Sequence, residues 1–310
     1  MNVKRKYDTL KREEDMMKGN VSKLVLAALV LAILPYESID AVNEIPDNMV
    51  LIPAGWFTMG SKEGHFSHQP PHRVYLDAYA IDKYEVTNAD YKNFIDLRDH
   101  LRGKKTPLGP NCQKVERGVS PPKIWNENHE YPLELADHPV VCVRRGMAKR
   151  YCRTMGKRLP TEAEWEKAAR GKDGRKYPWG NKWDPKKTNH GLAKSPWEDA
   201  SDGYARTAPV GSFPEDKSPY GVYDMAGNVY EWTWDIYWPY YYPRSPKRNP
   251  KGPESYKSIP EDLRPEWHAY TVRGGSWALG REAATTWRRG YRRTFQADDS
   301  GGFRCVADTK

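Results

Sequence analysis

The alternation of apolar and polar positions divides the chain into short elements separated by long irregular stretches. Met49-Val-Leu-Ile-Pro-Ala-Gly-Trp-Phe-Thr-Met-Gly60 has two apolar runs around Pro-Ala-Gly, which predicts a β-hairpin. His72-Arg-Val-Tyr-Leu-Asp-Ala-Tyr-Ala-Ile-Asp82 alternates like one half-buried strand. Thr87-Asn-Ala-Asp90 opens a short helix that carries Tyr91, Phe94 and Ile95 on one face. Thr87 is its N-cap, and Asp90 falls in the first turn, where the helix dipole favours an acid. Residues 98–137 show little periodicity and read as an irregular excursion, and 138–143 read as a short strand. Residues 145–155 place Met147, Tyr151 and Met155 four apart, predicting a helix. A second helix is expected over Leu159–Arg170, with Pro160 near its start and Thr161-Glu-Ala-Glu164 as a capping box. From Gly171 onward, loops and short strands dominate.

The N-terminal pattern differs. An apolar run from Leu24 to Leu34 follows Lys23 and stops at Pro35. It is too short for a hydrocarbon core of about 30 Å and suits the apolar region of a signal peptide. Translation from Met16 or Met17 would give that leader ordinary proportions. The competing reading is an uncleaved anchor formed by residues 21–35. The organisation is therefore read as leader 1–41, linker 42–48 and a single domain 49–310. The exported, periplasmic or other extracytoplasmic location follows from the leader, with a membrane tether if it persists.

Composition refines this picture. The 310 residues include 12 Trp and 20 Tyr, so a polar chain still buries large rings. Its 25 Pro and 24 Gly predict a loop-rich α+β domain with few long helices. The net charge of +9 reads as interspersed over the sequence, a solvated surface or one that meets an acidic partner. No nucleic-acid-binding motif is present. Cys112, Cys142, Cys152 and Cys305 match no zinc spacing. Export permits two disulfides, or one disulfide and free thiols.

Seven motifs occur in order: Ile52-Pro-Ala-Gly-Trp-Phe-Thr-Met-Gly60, Glu85-Val-Thr-Asn88, Gly156-Lys-Arg-Leu-Pro-Thr-Glu-Ala-Glu-Trp165, Tyr177-Pro-Trp-Gly180, Tyr223-Asp-Met-Ala-Gly-Asn-Val-Tyr-Glu-Trp232, Arg273-Gly-Gly-Ser-Trp277 and Gly302-Phe-Arg304. Together they resemble the formylglycine-generating enzyme (sulfatase-modifying factor) family over about residues 48–308. The resemblance implies an irregular α+β fold related to C-type lectins. It also implies a pair of copper-binding cysteines, which active members use to oxidise a client sulfatase cysteine. Cuprous ion is soft and prefers thiolates. Here the two positions are Leu279 and Ala284, so the resemblance predicts neither copper nor formylglycine chemistry.

The same resemblance implies a Cys152–Cys305 disulfide and leaves Cys112 and Cys142 open. It implies two calcium sites. One draws on the Asp224 and Glu231 side chains with the Gly227 and Val229 carbonyls. The other draws on the Asn189 and Asp202 side chains with the His190 and Tyr204 carbonyls. Calcium wants six to eight hard oxygens, main-chain ones included. The plainer reading is that these acids cap turns.

Further candidates are His65, His68 and His72, as exposed loop histidines or a metal cluster. Ser276 and Trp277 fall in the family's groove, with Ser276 read as a turn anchor. Arg288, Arg289 and Arg293 are either solvated or recognise an anion, and Arg292 aligns with a buttressing arginine. The segment 237–270 departs most from the family. Its Trp238-Pro-Tyr-Tyr-Tyr-Pro243 run looks exposed, so Trp238, Tyr240 and Tyr241 are candidates for a partner surface. The leading functional expectation is a non-catalytic accessory module that holds a partner protein or peptide, as in an envelope redox complex. The alternatives are a maturation enzyme of different chemistry and a calcium-dependent carbohydrate-binding module.

Overall fold

The computed structural model describes residues 45–104, 110, 112, 124–191 and 199–309. The chain divides into two units, 1–44 and 45–310, and the leader expectation lies outside the described residues. Among the described residues no helix is long and apolar enough to cross a membrane.

Among the described residues, nine short strands and three α-helices carry the fold. Strands β1 (Met49–Ile52), β4 (Tyr79–Asp82) and β9 (Val306–Asp308) form one sheet in the order β1-β4-β9. Strands β2 (Gly55–Met59) and β3 (His72–Leu76) form a ribbon. The third sheet has the order β7-β6-β5-β8, from β5 (Tyr230–Ile236), β6 (Ala269–Arg273), β7 (Gly290–Arg293) and β8 (Gly301–Gly302). Among the described strand pairs, β5 and β8 alone run parallel. This is the loop-rich α+β architecture expected from the Pro, Gly and aromatic content.

Two expected elements are corrected. β1 and β2 are consecutive but form no hairpin: β1 pairs with β4, and β2 with β3. The Pro-Ala-Gly turn opens instead onto a helix, because the Pro53 and Gly55 carbonyls accept from Lys167 Nζ at 2.6 and 3.2 Å. For the same reason residues 72–82 split into β3 and β4, which belong to different sheets. The strand expected over 138–143 reduces to one bridge between Thr87 and Pro139.

The helices follow their local signals. α1 (Asn88–Arg102) starts at Thr87, whose hydroxyl accepts from Asp90 N while the Asp90 carboxylate accepts from Thr87 N. It runs further than expected, into the stretch read as irregular, and ends at Gly103 with φ 62°. α2 (Arg145–Thr154) and α3 (Glu162–Arg170) match their predicted cores. Thr161 and Glu164 form the predicted capping box on α3. Such caps stabilise a helix by about 1 kcal/mol. Cys152 on α2 is bonded to Cys305 just before β9, across 153 residues, and Cys112 is bonded to Cys142. Closing a loop that long contributes up to about 5 kcal/mol in the chain-entropy account.

All nine residues of α3 are buried, charged ones included. Arg273 donates to Glu162 at 3.0 Å and to Glu166 at 2.6 Å. Arg289 grips both oxygens of Glu162 at 2.7 and 3.0 Å, and Arg170 bonds Glu166 at 2.7 Å. Further guanidinium hydrogens reach loop carbonyls of Gly60, Ser67, Gly174 and Thr286, while Arg170 Nε and Arg273 Nε are buried without a partner. Burial alone would raise Glu166, but Arg273, Arg170 and the Gly60 N–H outweigh it and hold the group below the usual carboxylate range. Asp235 lies beside Glu162 and accepts from its N–H; burial and then Glu162 push it up to about 8.

Removing one partner from a buried ion pair strands the other. Arg273→Met leaves Glu162 and Glu166 short of a cation and should cost about 3–5 kcal/mol. Denaturant unfolding measures this, and a loss under about 1 kcal/mol would show the network to be dispensable.

Candidate functional site

The loop after β6 forms the centre of the expected groove. Gly274 and Gly275 have φ of 97° and 78°. A Cβ on Gly275 would meet the Ala283 backbone at 3.0 Å, so the chain doubles back there without room for a side chain. Ser276 is buried, and its hydroxyl accepts from Ala278 N at 3.3 Å, the turn-anchoring role read from sequence. Trp277 is also buried. Its backbone N–H donates to Asn228 O and its indole N–H to Asp299 O, both at 2.8 Å. Arg206 lies over its ring, 5.2 Å from the centroid, and pairs with Asp299. Neither Ser276 nor Trp277 is therefore a groove surface, which corrects that expectation.

The two cysteine positions sit in different surroundings. Leu279 is 41% exposed, and its carbonyl accepts from Gly191 N at 3.0 Å. Ala284 is buried with Tyr177 and Ala226, against Trp179 and Trp183. Neither offers a thiol. All four cysteines of the chain are held in disulfides.

An acidic centre lies behind the groove. Asp224 and Asn228 adopt left-handed φ of 58° and 54°, which turns the 224–231 segment sharply. Arg304 holds Glu231 through two hydrogen bonds of 2.8 and 2.9 Å. Asp224 accepts from Gly211 N at 2.8 Å. Burial raises it to about 6, against the pull of the Gly211 N–H and Arg304. Glu85 accepts from Asn228 Nδ2 at 2.7 Å and from Val229 N at 3.2 Å; burial, then Asp224 and Glu231, raise it well above the usual range. Asp216 is raised likewise by burial and by Asp224, and its Oδ1 has no partner. Four buried carboxylates thus surround one guanidinium, a deficit of positive charge.

The second expected set adjoins the first. A Cβ on Gly227 would meet Asn189 O at 2.1 Å, so only glycine lets the two segments touch. Asn189 donates to Arg206 O at 2.8 Å and to Asn228 Oδ1 at 3.3 Å, while its own Oδ1 is buried without a partner. Asp202 accepts from His190 N at 2.7 Å and Tyr204 N at 2.9 Å. Among the described residues no three Asp, Glu, His or Cys side chains converge as a metal site. Around the first set, Glu231 is taken by Arg304 through both oxygens, and the surplus negative charge that a hard dication would match comes from Asp224, Glu85 and Asp216. Such an ion fits the second set through the buried, unpartnered Asn189 Oδ1.

Several surface candidates are corrected. Trp238 and Tyr241 pack in the main core with Tyr242, so most of the aromatic run is interior. Tyr240 is 42% exposed and stacks on Phe66, itself 47% exposed, at 5.3 Å. Arg289 is buried on Glu162 and faces no external anion, whereas Arg288 is exposed. Arg292 buttresses Tyr230 at 4.5 Å and reaches Asp298 at 3.4 Å. His65 caps Ser67, and His72 is 3.0 Å from Pro70 O. His68 is buried with both ring nitrogens unpartnered, contrary to its reading as an exposed loop residue. The buried Glu162–Glu166–Arg170 line escaped the sequence reading. Its spacing of four, on a helix with an alanine-rich apolar face, was the available signal.

Comparison with known proteins places this geometry. A family model described as "Sulfatase-modifying factor enzyme 1-like domain" matches residues 37–309. The chain is 33% identical over 299 residues to the formylglycine-generating enzyme of Bos taurus, covering 85% of this chain and 75% of that protein. It is also 33% identical over 314 residues to the inactive C-alpha-formylglycine-generating enzyme 2 of Bos taurus, covering 90% and 94%. Among solved structures, PvdO from Pseudomonas aeruginosa superposes with a TM-score of 0.63 at 27% identity, covering 84% of this chain and 94% of that one.

His68 gives the domain an acid-sensitive spot. Burial, then Arg273, Arg288 and Arg289, lower it from 6.5 to about 4. The unfolded chain therefore binds a proton that the folded one refuses. Stability is complete above about pH 6.5 and falls as the pH drops towards about 4. His68→Leu should flatten that part of the profile. Melting temperatures across this range test it, and parallel wild-type and variant curves would rule it out.

Proposed function

The chain belongs to the sulfatase-modifying factor enzyme 1-like domain family, and from that membership we propose that it serves as a non-catalytic accessory module that holds a partner protein. The observation that carries this reading is the loss of both thiol positions, Leu279 and Ala284, from a scaffold otherwise kept whole. Copper and thiolate chemistry needs sulfur there, and every cysteine of the chain is committed to a disulfide elsewhere. A relative named as inactive, of which the chain covers 94%, gives precedent for this scaffold persisting under such a name.

In this reading the protein is exported, and the apolar run Leu24–Leu34 either guides export or tethers it to the membrane. Calcium occupies the acidic centre in a structural role, with Asp224 and Glu231 supplying charge and the Gly227 and Val229 carbonyls completing the shell. Asn189 Oδ1, Asp202 and the carbonyls of His190 and Tyr204 hold a second ion. Calcium neutralises the surplus of buried carboxylate and keeps the groove loop in place.

Three outcomes are expected. Gentle purification of the native protein from its own membranes and periplasm should yield a stoichiometric partner by mass spectrometry; a bare monomer would count against the accessory role. A cysteine-bearing sulfatase peptide, with cuprous ion and oxygen, should gain no aldehyde, and turnover would overturn the non-catalytic reading. Chelation should lower the melting temperature, and calcium at about a hundred times its dissociation constant should restore about 2.7 kcal/mol. Asp224→Ala should abolish that calcium response, and a thermal midpoint indifferent to both chelator and calcium would exclude the ion.

A further inference from the structure

The positive charge of this chain is not evenly interspersed. Residues 144–158 contain Arg144, Arg145, Lys149, Arg150, Arg153, Lys157 and Arg158, and no acid. The fold commits some of these to internal work. Arg145 donates to the Thr233 and Trp234 carbonyls, Lys157 pairs with Asp82, and Arg158 pairs with Glu164 and Asp308. Lys149, Arg150 and Arg153 form no ion pair with a described residue. Their spacing of one, three and four puts them on neighbouring turns of one side of α2.

α1 adds to the same face. Tyr91 and Phe94 of α1 pack against Tyr151 of α2, with ring centroids 5.8 and 5.3 Å apart. This contact brings Arg98 of α1 close to Arg150, with Arg102 one turn further along α1. Arg98 lies over the Phe94 ring at 5.5 Å, and its Nε has no partner. The nearby acids are already engaged: Asp96 by Lys92 at 2.6 Å, and Asp99 by His129 at 3.5 Å. The crowding has an electrostatic signature. Arg98 is lowered by burial, then by Arg150 and Arg102, and Lys149 by burial, then by Arg145 and Arg153. Asp99 offsets this crowding only in part, since burial, Arg150 and Arg102 outweigh it at Arg98, and like charges held together are relieved by an external polyanion.

We propose that the α1–α2 face, through Arg98, Arg102, Lys149, Arg150 and Arg153, docks an acidic segment of a partner protein. Four of the five are arginines, whose planar forks match carboxylates in two parallel hydrogen bonds. A bilayer surface favours cations mixed with interfacial aromatic rings. Tyr91, Phe94 and Tyr151 of α1 and α2 are buried, and α1 exposes only Leu97 and Leu101 as large apolar side chains, so no exposed ring of these helices offers an interfacial anchor; the arginine forks favour a protein segment over lipid. The proposal deepens the accessory-module reading, and rests on it only for the identity of the native partner.

The test uses the full-length protein and a fluorescent poly-glutamate peptide, with poly-glutamine as control, followed by anisotropy. Binding should weaken as salt rises from about 50 to about 300 mM, where the screening length drops below about 6 Å. K149Q/R150Q/R153Q should lower affinity at least about tenfold while leaving the melting temperature unchanged, as expected for charges at an electrostatic interface. K172Q/K182Q/K257Q removes the same charge from exposed lysines elsewhere and should change affinity less than about twofold. Equal losses in both variants, or no wild-type binding at low salt, would overturn the proposal. So would capture of anionic phosphatidylglycerol vesicles by this face without binding of the peptide. Peptide binding at this face with no native partner on purification would leave the surface standing and remove only the accessory-module reading.

Discussion

The fold depends on the guanidinium group of Arg273, held between Glu162 and Glu166 with no access to water. A domain with so little regular secondary structure has many loop carbonyls that no ladder satisfies. Buried arginines answer this need, because each presents five donors in a fixed plane. Arg170, Arg273 and Arg289 each bond an α3 carboxylate and also reach loop carbonyls far away in sequence. The desolvation cost of burying these charges is large, and the close ion pairs with Glu162 and Glu166 offset it. That makes the network intolerant of single changes and fixes α3 as the element around which the loops are arranged.

The turn after β6 inherits its geometry from this centre. Arg273 is the last residue of β6, and the Gly274-Gly275-Ser276-Trp277 turn leaves directly from it. Trp277 is then pinned by Asn228 and Asp299. A second buried pair, Glu231 with Arg304, holds the acidic segment behind the turn. None of these interactions involves the positions where the family carries its catalytic thiols. The side chains at Leu279 and Ala284 can therefore vary without touching these contacts.

The same separation shapes the surfaces. The segment 237–270 spends its aromatic rings on the core through Trp238, Tyr241 and Tyr242, and leaves Tyr240 with Phe66 outside. The helical face of α1 and α2 instead collects cations, because its apolar side is filled by Tyr91, Phe94 and Tyr151 against Phe303.

Local features were legible in the sequence. The capping boxes at Thr87 and Thr161 join residues three apart, so the chain alone specifies them. The cores of α2 and α3 and the absence of thiols at Leu279 and Ala284 were equally readable, as was family membership from seven ordered motifs. The Cys152–Cys305 bond came through that resemblance and is present. Strand partners were not legible: β1 and β2 look like a hairpin until Lys167, 114 residues from Pro53, claims the turn. Nor was burial, since Trp238 and Tyr240 read alike in a run of rings and His68 reads like any loop histidine. Tertiary structure decided which charges meet: Glu162 with Arg289 across 127 residues, and Glu231 with Arg304 across 73. Sequence periodicity encodes neighbours within a few turns, whereas a buried charge is satisfied by whichever partner the folded chain brings to it.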